Sequence, residues 1–288
     1  MPSSASHRTD VPTAFVVGHP IAHSRSPLIH RTWLKAHGLK GAYEPRDVAP
    51  EELETWLRTI DPGAVPGGNV TVPHKEAVYR WLGDRVDEAA SRIGAVNTLW
   101  FTDGELRGGN TDAHGFAANL DDHAPAWRSA DRALVIGAGG AARAVLYALR
   151  KAGIERIEIA NRTLERAQGL ADEFGLARVW PLDRIAEPLG GSDLAINTAS
   201  LGMAGVASEG TGFDPAHFNE EGIVTDIVYA PLHTPFLRAG AAAGCRTVDG
   251  LGMLLHQAVP GFERWFGVRP IVTPELRRLV EAILGEEL

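Results

Sequence analysis

Only four lysines, Lys35, Lys40, Lys75 and Lys151, stand against 24 arginines in this chain. Arginine does not give up a proton near neutral pH. A chain that uses it almost everywhere keeps lysine either by chance, as at the three that read as solvated surface, or where a titratable amine is needed. Lys75 has surroundings that suit chemistry. It closes the run Gly68-Asn69-Val70-Thr71-Val72-Pro73-His74-Lys75, in which Asn69 and Thr71 lie on one side of a short strand. Lys75 then arrives at the C-terminal edge of that strand, where α/β proteins bind their ligands. Upstream, the loop Gly18 to Pro27 offers the hydroxyls of Ser24 and Ser26 beside a helix start, with Ser26 as its N-cap. Such donors cradle a carboxylate. Two more polar segments, Gly94 to Thr98 with Asn97 and Gly109 to Asp112 with Asn110, follow downstream.

A second set of residues suits a dinucleotide. Ala133 to Ile136 reads as a buried strand and runs into Gly137-Ala138-Gly139-Gly140-Ala141-Ala142, a G-x-G-x-x-A fingerprint that opens a helix. Gly137 allows the tight turn and Gly139 lets the backbone approach a pyrophosphate. Ala142 allows close packing of helix on strand, and the helix start supplies amide donors. NAD sites place an acid about 20 residues further on, for the ribose 2′-hydroxyl. Here Asn161-Arg162-Thr163 and Arg166 stand instead. Two guanidiniums and a hydroxyl suit a 2′-phosphate, so the expected cofactor is NADP.

The elements that must hold these residues alternate. Strands at Ala14–Gly18, Tyr43–Arg46 and Gly68–Thr71 are separated by helices at Pro27–His37 and Pro50–Ile60, with a further helix at Lys75–Leu82. That order predicts a mostly parallel sheet. A hairpin over Val96 to Arg107 turns at Thr102-Asp103-Gly104. Residues 121–132 read as a surface connection. Beyond it come strands at Ala133–Ile136, Arg156–Ala160, Leu194–Asn197, Ile223–Ile227 and Arg246–Val248, with helices at Gly140–Ala152, Leu164–Phe174 and Thr234–Gly244. Gly250 to Leu288 reads as helical, and residues 1–10 as disordered. The expected class is α/β in two domains, as the 288 residues suit.

Composition excludes several functions. A net charge of −8 argues against a nucleic-acid partner and leaves an anionic substrate to a locally positive pocket. The lone Cys245 cannot form an intrachain disulfide and reads as a small buried residue. No spacing of His, Asp or Glu suggests a metal site. Residues 1–12 lack the apolar core of a secretory signal, and no apolar run is long enough to span a bilayer. The expectation is a cytoplasmic protein without a membrane partner.

Seven segments, GHPIAHSRSPLIH, NVTVPHK, GAVNTL, GNTDAHG, GAGGAARA, NRTLERA and GLGMLLHQA, resemble those of the shikimate dehydrogenase family in order and spacing, from about Ala14 to Gly267. The resemblance implies a substrate-binding domain over residues 1–111, completed by C-terminal helices in 250–288, and a Rossmann-type NADP domain over 112–249. It implies NADPH-dependent, reversible reduction of 3-dehydroshikimate to shikimate, on the route to chorismate and the aromatic amino acids. Lys75 and Asp112 match the family's catalytic pair. Ser24 and Ser26 match its carboxylate-binding serines, while Asn69, Thr71, Asn97 and Gln257 match residues that contact the ring hydroxyls or carboxylate. Tyr229 matches the tyrosine that faces substrate from the cofactor domain. Gly137, Ala138, Gly139, Gly140 and Ala141, with Asn161, Arg162, Thr163 and Arg166, match the NADP loops. Glu88, Ile227, Gly250 and Met253 match positions near the nucleotide. The resemblance gives His23, His74 and His256 no required role, so each reads as structural. It leaves room for a homodimer.

The sequence departs from the family at His19 and Arg31, where Asn is usual, and in the order of Thr198 and Ala199 within Asn197 to Met203. Three alternatives stay open: a quinate/shikimate dehydrogenase using NAD, against which Arg162 speaks; an aminoshikimate-type dehydrogenase; and a non-catalytic regulator, against which retention of Lys75 and Asp112 speaks.

Overall fold

The structure, a computed structural model, describes residues 11–201 and 213–286. The expected disorder of residues 1–10 and the position of Met203 lie outside the described residues. The chain divides into two units, residues 1–111 with 258–276, and residues 112–257 with 277–288.

The first unit opens β1 (Thr13–Gly18), α1 (Ser26–Ala36), β2 (Ala42–Asp47), α2 (Leu53–Leu57), β3 (Gly67–Val70), α3 (Lys75–Leu82), α4 (Glu88–Ile93), β4 (Thr98–Thr102) and β5 (Glu105–Gly109). Its sheet runs β2-β1-β3-β4-β5. The first three strands are parallel and the β4–β5 hairpin is antiparallel. From Ala14 onward β1 is buried on both faces and carries no polar side chain, as suits a central parallel strand. Its side chains alternate between two cores. Phe15 and Val17 pack with Leu53, Leu57, Val70, Val78 and Leu82, whereas Ala14 and Val16 pack with Ile21 and Tyr43. Two local expectations change. The cap of α1 falls on Arg25, whose backbone is already helical, so Ser26 lies inside the helix instead of capping it. α2 is shorter than Pro50–Ile60 because both ends of that stretch form turns. α4 was not anticipated, although Asp87 accepts from the Ala90 amide at 2.7 Å and Gly94 closes the helix.

The second unit contains α5 (Asp112–His123), β6 (Arg132–Ile136), α6 (Gly140–Lys151), β7 (Arg156–Asn161), α7 (Leu164–Phe174), β8 (Arg178–Pro181), α8 (Ala186–Leu189), β9 (Leu194–Asn197), β10 (Ile223–Asp226), α9 (Pro235–Ala242), β11 (Arg246–Val248) and α10 (Leu251–His256). Its sheet is parallel in every pairing and ordered β11-β10-β9-β6-β7-β8. This is the doubly wound order, with its topological switch point between β6 and β9. Cys245 is buried, as expected, in the core shared by β6, β10 and α9.

The remaining helices are α11 (Val259–Phe266) and α12 (Pro274–Glu286). In the first unit, Trp265 on α11 donates its indole N–H to the Leu99 carbonyl at 2.9 Å. The expected boundary at residue 250 shifts, because α10 packs on α5 within the second unit. The fit is close enough to need glycines: a Cβ on Gly252 would stand 1.8 Å from Asn119 Oδ1, and one on Gly115 would stand 2.6 Å from the Met253 carbonyl oxygen. No helix among the described residues is long and apolar enough to cross a membrane.

His30 on α1 is fully buried, stacked on Tyr43 at 4.1 Å, and burial lowers its pKa to about 3. Between that value and its unfolded value near 6.5, the unfolded chain binds the extra proton. Stability is therefore lost as pH falls below about 6.5. The loss expected from this group between pH 6.5 and 5 is roughly 1.5–2 kcal/mol. Denaturant titrations at the two pH values should show that loss in wild type and a smaller one, by about that amount, in His30→Phe. Equal losses in both proteins would contradict the assignment.

Candidate active site

In the first unit, β1, β3 and β5 end, and β4 begins, at one edge of the sheet. Asn69, next to last in β3, is 5 % exposed and bonded on both sides. Its Oδ1 accepts from the Tyr43 hydroxyl at 2.6 Å, and its Nδ2 donates to the Asn97 carbonyl at 3.0 Å. Burial pushes the Tyr43 phenol well above its usual range, so it stays a neutral donor and fixes which way the Asn69 amide points. Asn97 is tied in turn to the end of the hairpin. Its Oδ1 accepts from the Thr98 hydroxyl at 2.8 Å and the Thr111 amide at 2.9 Å, and its Nδ2 donates to Thr111 Oγ1 at 3.0 Å. The result is a buried polar cluster whose members hold one another in place.

The other expected residues of the unit lie on the loops and helix starts that follow its strands. The Thr71 amide donates to the Val17 carbonyl at 2.9 Å, so the chain beyond β3 stays alongside β1. Lys75 is the first residue of α3 and half-buried, and its carbonyl accepts from the Val96 amide at 3.0 Å. His74, just before it, is buried and bonds through Nε2 to the Val48 carbonyl at 2.8 Å, a structural part as the sequence suggested. Ser24 is half-buried and accepts the Ser26 amide on its hydroxyl at 3.4 Å, while Ser26 lies buried at the start of α1. Glu88 is exposed on the first turn of α4. It therefore belongs to the first unit, whereas the nucleotide loops belong to the second.

In the second unit, β6 ends in the glycine turn. Gly137 adopts φ +105°, and a Cβ there would meet Thr198 Oγ1 at 2.8 Å and the Ala199 amide nitrogen at 2.9 Å, at the exit of β9. Only glycine fits that turn. Gly139 and Gly140 are different: they are exposed, and a Cβ on either would meet no protein atom within 4 Å. The protein's own packing does not require them, and the open space is what a phosphate approaching the backbone needs. Gly139 caps α6 without a side-chain partner, and Ala138 and Ala141 flank it half-buried. At the end of the neighbouring β7, Asn161 Nδ2 donates to the Thr163 carbonyl at 2.8 Å and shapes the turn. Arg162 and Arg166 are exposed and form no ion pair among the described residues. No acid occupies the end of β7. The residues present thus fit a dinucleotide carrying an extra phosphate.

The rest of the expected set gathers on α5, α10 and the exit of β10. Asp112 begins α5, half-buried. Gln257 closes α10 and donates its side-chain amide to the Leu254 carbonyl at 3.0 Å. Met253 is half-buried on the same helix, and His256 beside it pairs with Asp122 at 3.0 Å. Gly250 abuts the β10 exit: a Cβ there would stand 2.4 Å from the Ile227 carbonyl oxygen. Tyr229 follows two residues after Ile227 and is half-buried.

One residue that the sequence motifs do not include anchors the exit of β10. Asp226, the last residue of β10, has no exposed surface. It accepts from the Val228 amide at 2.9 Å, from the Thr234 hydroxyl at 2.7 Å, and from Asn197 Nδ2 on both oxygens at 3.0 Å. Burial pushes its pKa up to about 6 against the pull of those donors. The signal for it in the sequence is an acid at the end of a buried, β-branched strand, Ile223 to Thr225.

Comparison with known proteins fits this geometry. Residues 16–99 match the family profile described as shikimate dehydrogenase substrate binding domain, residues 123–206 that of shikimate / quinate 5-dehydrogenase, and residues 250–272 that of the shikimate 5′-dehydrogenase C-terminal domain. The chain is 57 % identical over 273 residues to a shikimate dehydrogenase (NADP(+)) of Mesorhizobium japonicum, covering 94 % of this chain and 96 % of the relative. It is 54 % identical over 277 residues to that of Brucella canis, covering 95 % of each. Among solved structures, it is similar to shikimate 5-dehydrogenase of Thermus thermophilus in complex with NADP(H) and shikimate. The TM-score is 0.81 at 39 % identity, over 95 % of this chain and 100 % of that one. Quinate dehydrogenase of Corynebacterium glutamicum in complex with NAD gives a TM-score of 0.84 at 32 % identity, over 94 % and 99 %.

Proposed function

The chain belongs to the shikimate dehydrogenase family, and from that premise we propose how its residues divide the work. It is an NADP-dependent oxidoreductase that interconverts 3-dehydroshikimate and shikimate, a step of aromatic amino acid biosynthesis. The observation that carries the NADP assignment is a pair of guanidiniums without an ion-pair partner among the described residues, Arg162 and Arg166, beside an open glycine turn. An NAD-binding quinate dehydrogenase shares this fold, so the nucleotide is argued from those side chains and not from the architecture.

Bound NADPH supplies the hydride. The protein's own part is to hold the ring and manage one proton. Ser24 and Ser26 donate to the substrate carboxylate. Asn69, Thr71, Asn97 and Gln257 bind the rest of the polar rim, with Tyr229 as a further donor. As hydride reaches the ketone carbon, negative charge grows on its oxygen, and Lys75 gives that oxygen a proton. Asp112, the second member of the catalytic pair, binds the resulting hydroxyl. Gly137 to Ala141 receive the pyrophosphate, and Asn161, Arg162, Thr163 and Arg166 the 2′-phosphate, with Ile227, Gly250 and Met253 flanking the nucleotide. Glu88 is the outlying member of this set. The reading includes a cytoplasmic setting and a small-molecule substrate, with no nucleic-acid or membrane partner, and leaves room for a homodimer.

The carboxylate cradle is the test of this division. Ser24→Ala with Ser26→Ala removes two hydroxyl donors to an anion, each worth on the order of 1.5–3 kcal/mol. The Michaelis constant for shikimate should rise at least about ten-fold, while that for NADP stays within about two-fold. An unchanged shikimate constant would move the carboxylate to another site.

A further inference from the structure

We propose that Asp226 is a positioning residue for substrate binding: its carboxylate pins both ends of the loop that presents Tyr229. The inference rests on the assignment of Tyr229 to the substrate.

At Asp226 the chain leaves the sheet, and it does not return to regular structure until α9. One end of that excursion is Val228, immediately before Tyr229, whose amide bonds to Asp226 Oδ1 at 2.9 Å. The other end is Thr234, the cap of α9, whose hydroxyl bonds to Asp226 Oδ2 at 2.7 Å while it also accepts from the Leu237 amide. A single carboxylate therefore sets the span of the loop. Asn197 locks the rotation of that carboxylate by donating to both oxygens. Asn197 is itself oriented, because its Oδ1 accepts from the Ala199 amide at 3.1 Å. All the donors are neutral, and no cation pairs with Asp226 among the described residues.

A fully buried carboxylate without a cation is costly, and a packed apolar residue would serve the core better. What only a carboxylate offers at that size is acceptance on both oxygens at once. An asparagine keeps the volume but turns one acceptor into a donor facing other donors. Precise placement of the loop is the property that separates the two side chains. The loop carries Tyr229.

Steady-state kinetics of Asp226→Asn, Tyr229→Phe and the double variant test this. Each single change is expected to raise the Michaelis constant for shikimate about ten-fold, to alter kcat less, and to leave the constant for NADP within about two-fold. The double variant should be no worse than the larger single one, because both act on the same contact. Thr234→Val and Thr234→Ser guard against a misfolded Asp226→Asn. The valine variant, lacking the hydroxyl, should raise the shikimate constant several-fold, and the serine variant, which keeps it, should behave as wild type. The proposal is overturned if the Asp226→Asn and Tyr229→Phe effects multiply in the double variant. It is also overturned if Asp226→Asn leaves the shikimate constant within about two-fold of wild type, or if Thr234→Val and Thr234→Ser are indistinguishable. A Tyr229→Phe enzyme with an unchanged shikimate constant would instead remove the tyrosine assignment, and this inference with it.

Discussion

Lys75→Met is expected to turn over about 10²–10⁴-fold more slowly than wild type, the usual span of a lost general acid–base. The substrate constant should change little, since the proton matters only as charge develops on the oxygen. NADP binding should be unaffected, because the nucleotide loops belong to the second unit and Lys75 to the first. Lys75→Arg separates proton transfer from simple attraction. It keeps the positive charge but cannot donate a proton near neutral pH. If the ammonium only attracts an anionic substrate, arginine restores much of the rate. If it transfers the proton, arginine is nearly as inactive as methionine. Initial rates with saturating shikimate and NADP decide the matter. A Lys75→Arg enzyme above about a tenth of wild-type turnover would leave the proton to Asp112 or to water.

The second large effect concerns the nucleotide. Arg162→Ala should raise the Michaelis constant for NADP by about 10–100-fold, the worth of a charge-assisted phosphate contact of about 1.5–3 kcal/mol. The constant for NAD, which has no 2′-phosphate, should stay within about two-fold. Arg166→Ala added to it should cost more, though less than the product of the two, since neighbouring groups on one phosphate do not act independently. An Arg162→Ala enzyme with parallel losses for NADP and NAD would mean that the guanidinium serves the turn and not the phosphate.

Much of the second unit was legible because its strands are parallel and buried. Such strands read as short apolar runs, as β6 and β9 do, and β7 adds Ile157, Ile159 and Ala160 around a buried Glu158. The glycine turn was legible because its spacing is local. β8 was not: it has four residues, stands at the sheet edge and ends in Pro181. α5 escaped for a different reason. Ala113, Phe116 and Leu120 keep a helical period, but its buried face also contains Gly115 and Asn119. Those residues suit close approach of α10, a fact about tertiary packing that the polarity of the stretch conceals. The same close packing moved residues 250–257 into the second unit.

In the site, types and spacing pointed to Lys75, Asn69 and the serines, but not to what orients them. Tyr43 and Asn69 are 26 residues apart, Asn97 and Thr111 are 14 apart, and Asn197 and Asp226 are 29 apart. The first pair meets across the intervening β1, the other two at the ends of neighbouring strands, so no local pattern announces them. The supporting network of a site is the part that sheet topology creates.

Oxidation of shikimate with NADP, read from Arg162, Arg166 and the polar cluster around Asn69 and Asn97, is the central claim. Initial rates of reduced-nucleotide formation with purified protein test it most directly, with shikimate and quinate each supplied with NADP and with NAD. The highest kcat/KM is expected for shikimate with NADP, at least about ten-fold above shikimate with NAD, as one lost phosphate contact requires. Equal or better use of NAD, or a preference for quinate, would contradict it.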